Sequence, residues 1–581
     1  MKGLFKGILT GIKNSLKRFP QTICISTICV ILLIYTSEVR PEASNDFIEI
    51  LGKVTMVLAL GIPLSLCIKL FFERFEEYKK LSLYACYLGG AVVLILYYYS
   101  FLKDFGMVSI SRYIAFSLIL YLVFLFVSYL PNRDDFELYV IRIFTRFFTT
   151  VLYSLVLYLG LVAILFTIDK LLGVNIKSEL YYYTWLIVVG IFAPSFFLAG
   201  IPIKNEILTL NDYPRLFKVL VLYIIMPLIT VYTIILYMYF GKIIITRQWP
   251  EGLVSHLVLW YSAISAGVLF FISPLLDEKN WPRRYIKYFP KVILPLIVMM
   301  FISIGIRIKA YGVTENRYFV VALGIWVFLV MIYFIVRNKL RNIILPLSLA
   351  IITFISVFGP FSSYSISKYS QNTRLNKLFV KNNMIKGNKV IKASTKISDE
   401  DAREITSILN YFDRNHSLRD VKELPLGFKT SDMEKILGVK YIDEYYANNN
   451  GYFFFNSMEA LEPVDIRGYD YFFDSRNNAT QNSKGIPFSV SFDYESSTLK
   501  ITQDGKDIYN RNLEDFAIRL MDKYGENQKG QSIPSKEMSF QDENDKVKIK
   551  IQFSNLSGSK NPSSTKIESK NFEFYVLIKV K

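Results

Sequence analysis

The chain has 581 residues, of which 52% are apolar, 16% aromatic and only 20% charged, less charge than the about 25% usual in soluble domains. The formal net charge of +18 does not argue for nucleic acid, because it is unevenly placed. Residues 1–341 hold 34 Lys/Arg against 19 Asp/Glu, whereas residues 342–581 hold 33 against 30, so the excess basicity belongs to the apolar part, where membrane loops are basic.

Residues 1–18 form a basic amphipathic stretch, with Leu4, Phe5, Ile8, Leu9, Ile12 and Leu16 at helical spacing and Lys2, Lys6, Lys13 and Lys17 off that stripe. Such a helix can lie on anionic lipid at the cytoplasmic face. Its small residues Gly3, Gly7, Gly11 and Ser15 also suit docking on another helix. The run 19–37 reads as an uncleaved first span: no small-x-small cleavage site follows it, and many more spans do. Further apolar runs fall near 54–72, 81–101, 112–130, 147–168, 181–203, 217–240, 253–275, 289–308, 317–336 and 343–362. Each can cross about 30 Å of hydrocarbon. The transmembrane bundle thus covers 19–362, about eleven helices.

Numbering the connections alternately, with the N-terminus inside, puts 23 Lys/Arg on the inside set and 11 on the outside set. Tyr97, Tyr98, Tyr99, Tyr181, Tyr182, Tyr183 and Trp185 fall at the outer interface, and Trp281 and Tyr285 at the inner one. An odd number of spans then places the remainder of the chain outside the cytoplasm. The four cysteines, Cys24, Cys29, Cys67 and Cys86, all sit in apolar runs, without the spacing of a disulfide framework or metal site.

Past Pro360 the composition turns to Ser, Lys and Asn. Residues 363–396 read as a juxtamembrane connector, helical around Asn372–Phe379, and 397–581 as a small extracytoplasmic α+β domain. Ser398 followed by Asp399, Glu400 and Asp401 opens a helix to about residue 415, and 430–438 reads as a second short helix. Strands are expected at 452–456, 469–473, 487–494 and 498–503, with Asp504-Gly505 turning into Lys506–Tyr509. A helix at 512–524 and strands at 547–553 and 571–580 close the chain.

The segment Tyr311-Gly-Val-Thr-Glu-Asn-Arg-Tyr-Phe319 resembles a motif of the bacterial polytopic membrane family catalogued as domain of unknown function 4153. Arg18-Phe19-Pro20, the stretch Gly359–Ser365, Ser370-Gln371-x-x-Arg374-Leu375 and Ile397–Asp401 are similar to that family as well. The resemblance implies an architecture. It carries no reaction, ligand or functional residue to this chain.

Within the 311–319 segment, Gly312 permits a turn, Thr314 can cap the next helix, and Glu315 suits that helix's positive end. The candidate ligand-binding set is Tyr311, Thr314, Glu315, Asn316 and Arg317, which would take a lipid headgroup or another envelope component at the outer face. His256 is the one histidine within a span, and a single imidazole makes no metal cluster. Pro63, Pro194, Pro227, Pro295 and Pro346 are places where a transporter helix could be broken. Glu38, Glu42, Asp46 and Glu49 in the first outer loop suit an enzyme using a lipid-linked sugar, by layout alone. Trp281–Tyr288 interleaves cations with aromatics, as suits an anionic leaflet. The chain has no phosphate-loop, Gly-x-Ser-x-Gly or His-Glu-x-x-His motif, and neither a metal nor a cofactor is called for. The expectation is an envelope protein that binds a ligand or partner or works like a transporter. The alternatives are a glycosyltransferase-like enzyme and a secondary transporter.

Overall fold

The computed structural model describes the chain except for residues 1, 42, 76, 131–134, 204–205, 207, 248–252, 277–279, 338, 388, 443–451, 459–463, 477–479, 482–485, 525–530 and 561–566. It divides into two units, one of residues 1–377 with 412–422, the other of residues 378–411 with 423–581.

The first unit is a polytopic helical bundle. Ten helices among the described residues are long and apolar enough to cross a membrane. They are Pro20–Val39, Asn45–Phe72, Lys80–Phe101, Met107–Val127, Phe136–Leu172, Ser178–Leu198, Arg215–Thr246, Ser255–Leu275, Asn280–Tyr311 and Glu315–Val336. An eleventh, Ile344–Val357, has 14 residues, about 21 Å of helix. Its N-terminal end is prepared by Asn342, whose amide donates to Glu137 Oε1 and Ser273 Oγ, both at 2.8 Å.

Hydrogen bonds at the two ends of the bundle order these helices. At one end Arg18 pairs with Glu73, Arg142 with Glu206, and Asn342 with Glu137 and Ser273. At the other end Lys53 donates to Lys103 O (2.6 Å), Tyr183 to Glu38 (2.5 Å) and Arg112 to Val357 O (3.3 Å). Every one of these bonds joins positions that an alternating up-and-down path puts at the same end. The segment after Ile344–Val357 bonds to the turn before Glu315–Val336, so this short helix completes a return across the bundle.

The five prolines sit in helical backbone. Pro63 and Pro295 lie within continuous helices, and Pro346 lies in the first turn of its own. Pro194 and Pro227 each follow a wide π-helical segment, Val188–Phe192 and Leu220–Ile225. A wider turn accommodates the missing N–H and the ring without unwinding the helix. The half-helices that a transporter reading asks for are not formed at these positions.

Residues Lys2–Arg18 are helical, and two members of the small-residue stripe, Gly11 and Ser15, pack against a neighbouring helix. Ser15 is buried and donates to Ser195 O at 2.8 Å, and a Cβ on Gly11 would lie 3.5 Å from that of Ala199.

The second unit is α+β, with a short ladder of β1 (Ile385–Lys386) and β2 (Lys389–Val390) early in it. A mostly antiparallel sheet runs β4 (Tyr471–Asp474), β12 (Ile567–Val580), β11 (Val547–Lys560), β3 (Tyr452–Ser457) and β9 (Gln531–Ile533), with β10 (Ser539–Glu543) also pairing β11. A second sheet orders β5 (Thr480–Gln481), β6 (Ser489–Asp493), β7 (Thr498–Gln503) and β8 (Lys506–Asn512). The helix Glu514–Tyr524 packs Phe516 on Phe553, ring centroids 5.0 Å apart, in a core of Phe453, Phe455, Phe492, Phe572 and Phe574. The connector is more regular than expected: one helix spans Ser363–Lys381. The expected short helix at 430–438 is formed by a 3-10 turn, Thr430–Asp432, that runs into a π turn, Met433–Leu437.

Candidate functional site at the 311–319 turn

The Asn280–Tyr311 helix ends at Gly312, whose φ of +69° is open to glycine at little cost. A Cβ there would also come within 2.6 Å of Arg374 Cδ. The chain reverses through Val313 and Thr314 and enters the next helix at Glu315. Three segments far apart in sequence close on this turn. Gln371 Nε2 donates to Tyr311 O (3.1 Å) and Val313 O (2.9 Å), and Val313 N donates to Ser370 Oγ (2.9 Å). Arg374 donates to Tyr311 O (2.7 Å) and to Gln371 Oε1 (3.0 Å). Tyr318 reaches Phe361 O at 2.7 Å.

Arg317 donates to Tyr311 O (3.1 Å) and Gly312 O (2.8 Å). Two guanidinium groups therefore satisfy the last carbonyls of the preceding helix, at the negative end of its dipole. Tyr311 and Asn316 are exposed, whereas Glu315 turns inward. Thr314 occupies the cap position, but its side chain makes no capping bond. The five expected residues are thus neighbours in chain that face different ways: Tyr311 and Asn316 are exposed, Arg317 caps a helix, and Glu315 is buried.

Glu315 meets a residue that sequence reasoning passed over. His416 Nε2 lies 2.6 Å from Glu315 Oε1, with side-chain exposures of 3% and 7%. The imidazole follows the Asp399–Asn415 helix, one turn past Phe412, whose ring lies 6.2 Å away. The chain holds only two histidines, and the motif's acid was already singled out. That rarity was the one signal available. Lys368 holds the same turn by an ion pair to Asp420 (3.1 Å), and Asn372 donates to Asp420 O (3.0 Å). Tyr364 is buried beside this cluster, 2.6 Å from Ser111 Oγ, and burial first of all raises its phenol pKa.

The other candidates do not converge. Glu38 accepts from Tyr183, and Glu49 pairs with Lys53 at 2.6 Å, while Glu42 lies outside the described residues. His256 is half-buried in its span. No group of three or more His, Cys, Asp or Glu that could hold a metal occurs among the described residues.

The family described as "Domain of unknown function (DUF4153)" matches residues 24–386, a stretch that holds the bundle, the 311–319 turn and its partners Gln371 and Arg374. The chain belongs to this family. A protein of Pasteurella multocida described as uncharacterized is 24% identical over 325 residues, 55% of this chain and 54% of that protein, so the chain spans about half the length of that relative. No solved structure matches. Within this DUF4153 chain, His416 lies beyond the matched stretch and Glu315 lies inside it.

Proposed function

We propose that this DUF4153 protein is a binding protein of the bacterial envelope. Its bundle anchors in the cytoplasmic membrane with the N-terminus inside, and its β-rich unit is held outside the cytoplasm. The loop charges support the orientation, since the end that carries the 311–319 turn is the cation-poor one.

One observation carries the binding role. The outer face of β6, β7 and β8 forms a concavity of about 530 Å³ lined by Ser491, Asp493, Ser496, Thr498, Lys500 and Asn510. The pairing Ser491↔Lys500↔Asn510 sets these side chains in one row, while Val490, Leu499 and Ile501 point to the core. Hydroxyls, an amide, a carboxylate and an ammonium in one shallow bowl match a hydroxyl-rich envelope polymer better than an apolar ligand.

Sedimentation of the purified full-length chain with envelope glycan tests this reading. Lys500→Glu with Asn510→Ala is expected to weaken retention about tenfold at unchanged elution volume, in line with losing two polar anchors. Equal retention of the variant and the parent would sink the reading.

A further inference from the structure

The opposite end of the bundle holds a second polar site. A cavity of about 20 Å³, room for about one water, is lined by Arg18, Glu73, Arg74, Ser128, Tyr129, Tyr139 and Pro202, with Leu70 and Ile203. Its chemistry is unbalanced. Among the described residues Glu73 is the one acid of the lining, and it is already engaged: Arg18 Nε and Nη2 grip its two oxygens at 3.1 and 2.7 Å, and Lys69 stands 3.7 Å away. Arg18 spends its remaining donors on Ile201 O (2.7 Å) and Pro202 O (3.0 Å).

Arg74 has no such partner among the described residues. Its guanidinium lies over the Phe71 ring, 5.3 Å from the centroid, and its buried Nε has no acceptor among the described residues. The hydroxyls of Ser128 and Tyr139 open on the same space, and Tyr139 is 2% exposed. Three cations, Arg18, Lys69 and Arg74, thus surround one carboxylate. Among the described residues, Arg74 Nε is left without an acceptor beside this cavity. A buried guanidinium N–H without an acceptor is costly, and a fork of N–H groups beside two hydroxyls fits the tetrahedral oxygens of phosphate.

We propose that this cavity binds a phosphate group, with one phosphate oxygen taking the water-sized space against Arg74, Ser128 and Tyr139. The cavity lies where the first, second, fourth, fifth and sixth spans begin or end, and the ends of spans are where headgroups meet a bundle. An anionic phospholipid is the expected source and free phosphate the other. The site does not depend on the concave sheet face, and its failure would leave that reading untouched.

The test is lipid retention by the full-length chain in nanodiscs of phosphatidylcholine with phosphatidylglycerol, read by native mass spectrometry. Arg74→Gln is expected to lower phosphatidylglycerol retention about tenfold, the worth of one charge-assisted contact. Arg215→Gln, which removes an exposed cation from the same end, is expected to change it less than twofold. Millimolar inorganic phosphate that displaces the lipid identifies phosphate itself as sufficient; no displacement assigns the site to the headgroup. If Arg74→Gln is not recovered folded, Tyr139→Phe and Ser128→Ala carry the test, each with an expected drop of about threefold. Retention that responds no more to Arg74, Tyr139 or Ser128 than to Arg215 overturns the proposal.

Discussion

Glu315 and His416 stand 101 positions apart and share a hydrogen bond of 2.6 Å with almost no contact with water. Taking one partner from a buried pair leaves the other poorly solvated, at a cost of about 3–5 kcal/mol, whereas replacing both by neutral groups costs less. His416→Phe and Glu315→Leu are therefore each expected to lower the thermal midpoint in detergent, and together to lower it by less than the sum of the two. A double-mutant cycle should return a coupling above about 1 kcal/mol, and additive effects would show that the contact contributes nothing. Gly312→Ala meets both a left-handed backbone and the Arg374 side chain, and should cost more than about 1 kcal/mol by the same assay. At this scale the turn was legible and its partners were not. Gly312 and the first-turn acid announce a helix reversal by chemistry local to the chain. The burial of Glu315, and the use of Arg317 on Tyr311 O and Gly312 O, depend on residues that arrive from elsewhere.

The helices of the bundle were readable because 18 or more apolar residues in a row have few other fates. Their conduct at proline was not. Val188–Phe192 widens before Pro194, and Ser26 donates its hydroxyl to Gly190 O in that segment. A Cβ at Gly190 would stand 2.2 Å from Val30 Cγ2, so Gly190→Leu should separate the first and sixth spans and lower the thermal midpoint. An unchanged midpoint would show that the two helices are free to part. In the β-rich unit the sequence pattern found β3, β6, β7 and β8, whose alternation is clear, and missed β9 and β10, which are short and polar. It also stopped β11 near 553, whereas the strand runs on through Ser554–Lys560, polar residues held by pairing with β3 and β12.

Asp542 on β10 shows how those polar strands are secured. Burial opposes its ionisation, yet hydrogen bonds from Tyr509 and Arg511, with the Arg511 charge, outweigh that and hold its carboxyl below the usual range. A carboxyl lowered on folding adds stability that is full above its unfolded value, near pH 4, and fades as pH falls through the lower folded value. Asp542→Asn should therefore speed hydrogen exchange along β10 and β11 at pH 7. At a pH below the folded carboxyl's range, the variant and the parent should exchange alike. A difference that persisted there would assign the effect to packing rather than charge.

For the molecule as a whole, the count of eleven crossings rests on two independent supports. Basic residues alternate between connections, and the hydrogen bonds at each end join only connections of the same parity. The turn at Gly312 and the helix Ser363–Lys381 lie at one end together, which makes Ile344–Val357 a crossing despite its 14 residues. On the proposed orientation, the excess of basic residues in 1–341 belongs to loops inside the cell and not to a nucleic-acid surface. Labelling with a membrane-impermeant maleimide, in a chain whose four native cysteines are replaced by serine or alanine, tests this account most directly. Leu426, 96% exposed, belongs to the β-rich unit, and Leu216, 88% exposed, opens the seventh span at the cation-rich end. Leu426→Cys should label in intact cells and Leu216→Cys only after the membrane is opened; the reverse pattern would contradict the orientation and, with it, the binding role assigned to the outer face.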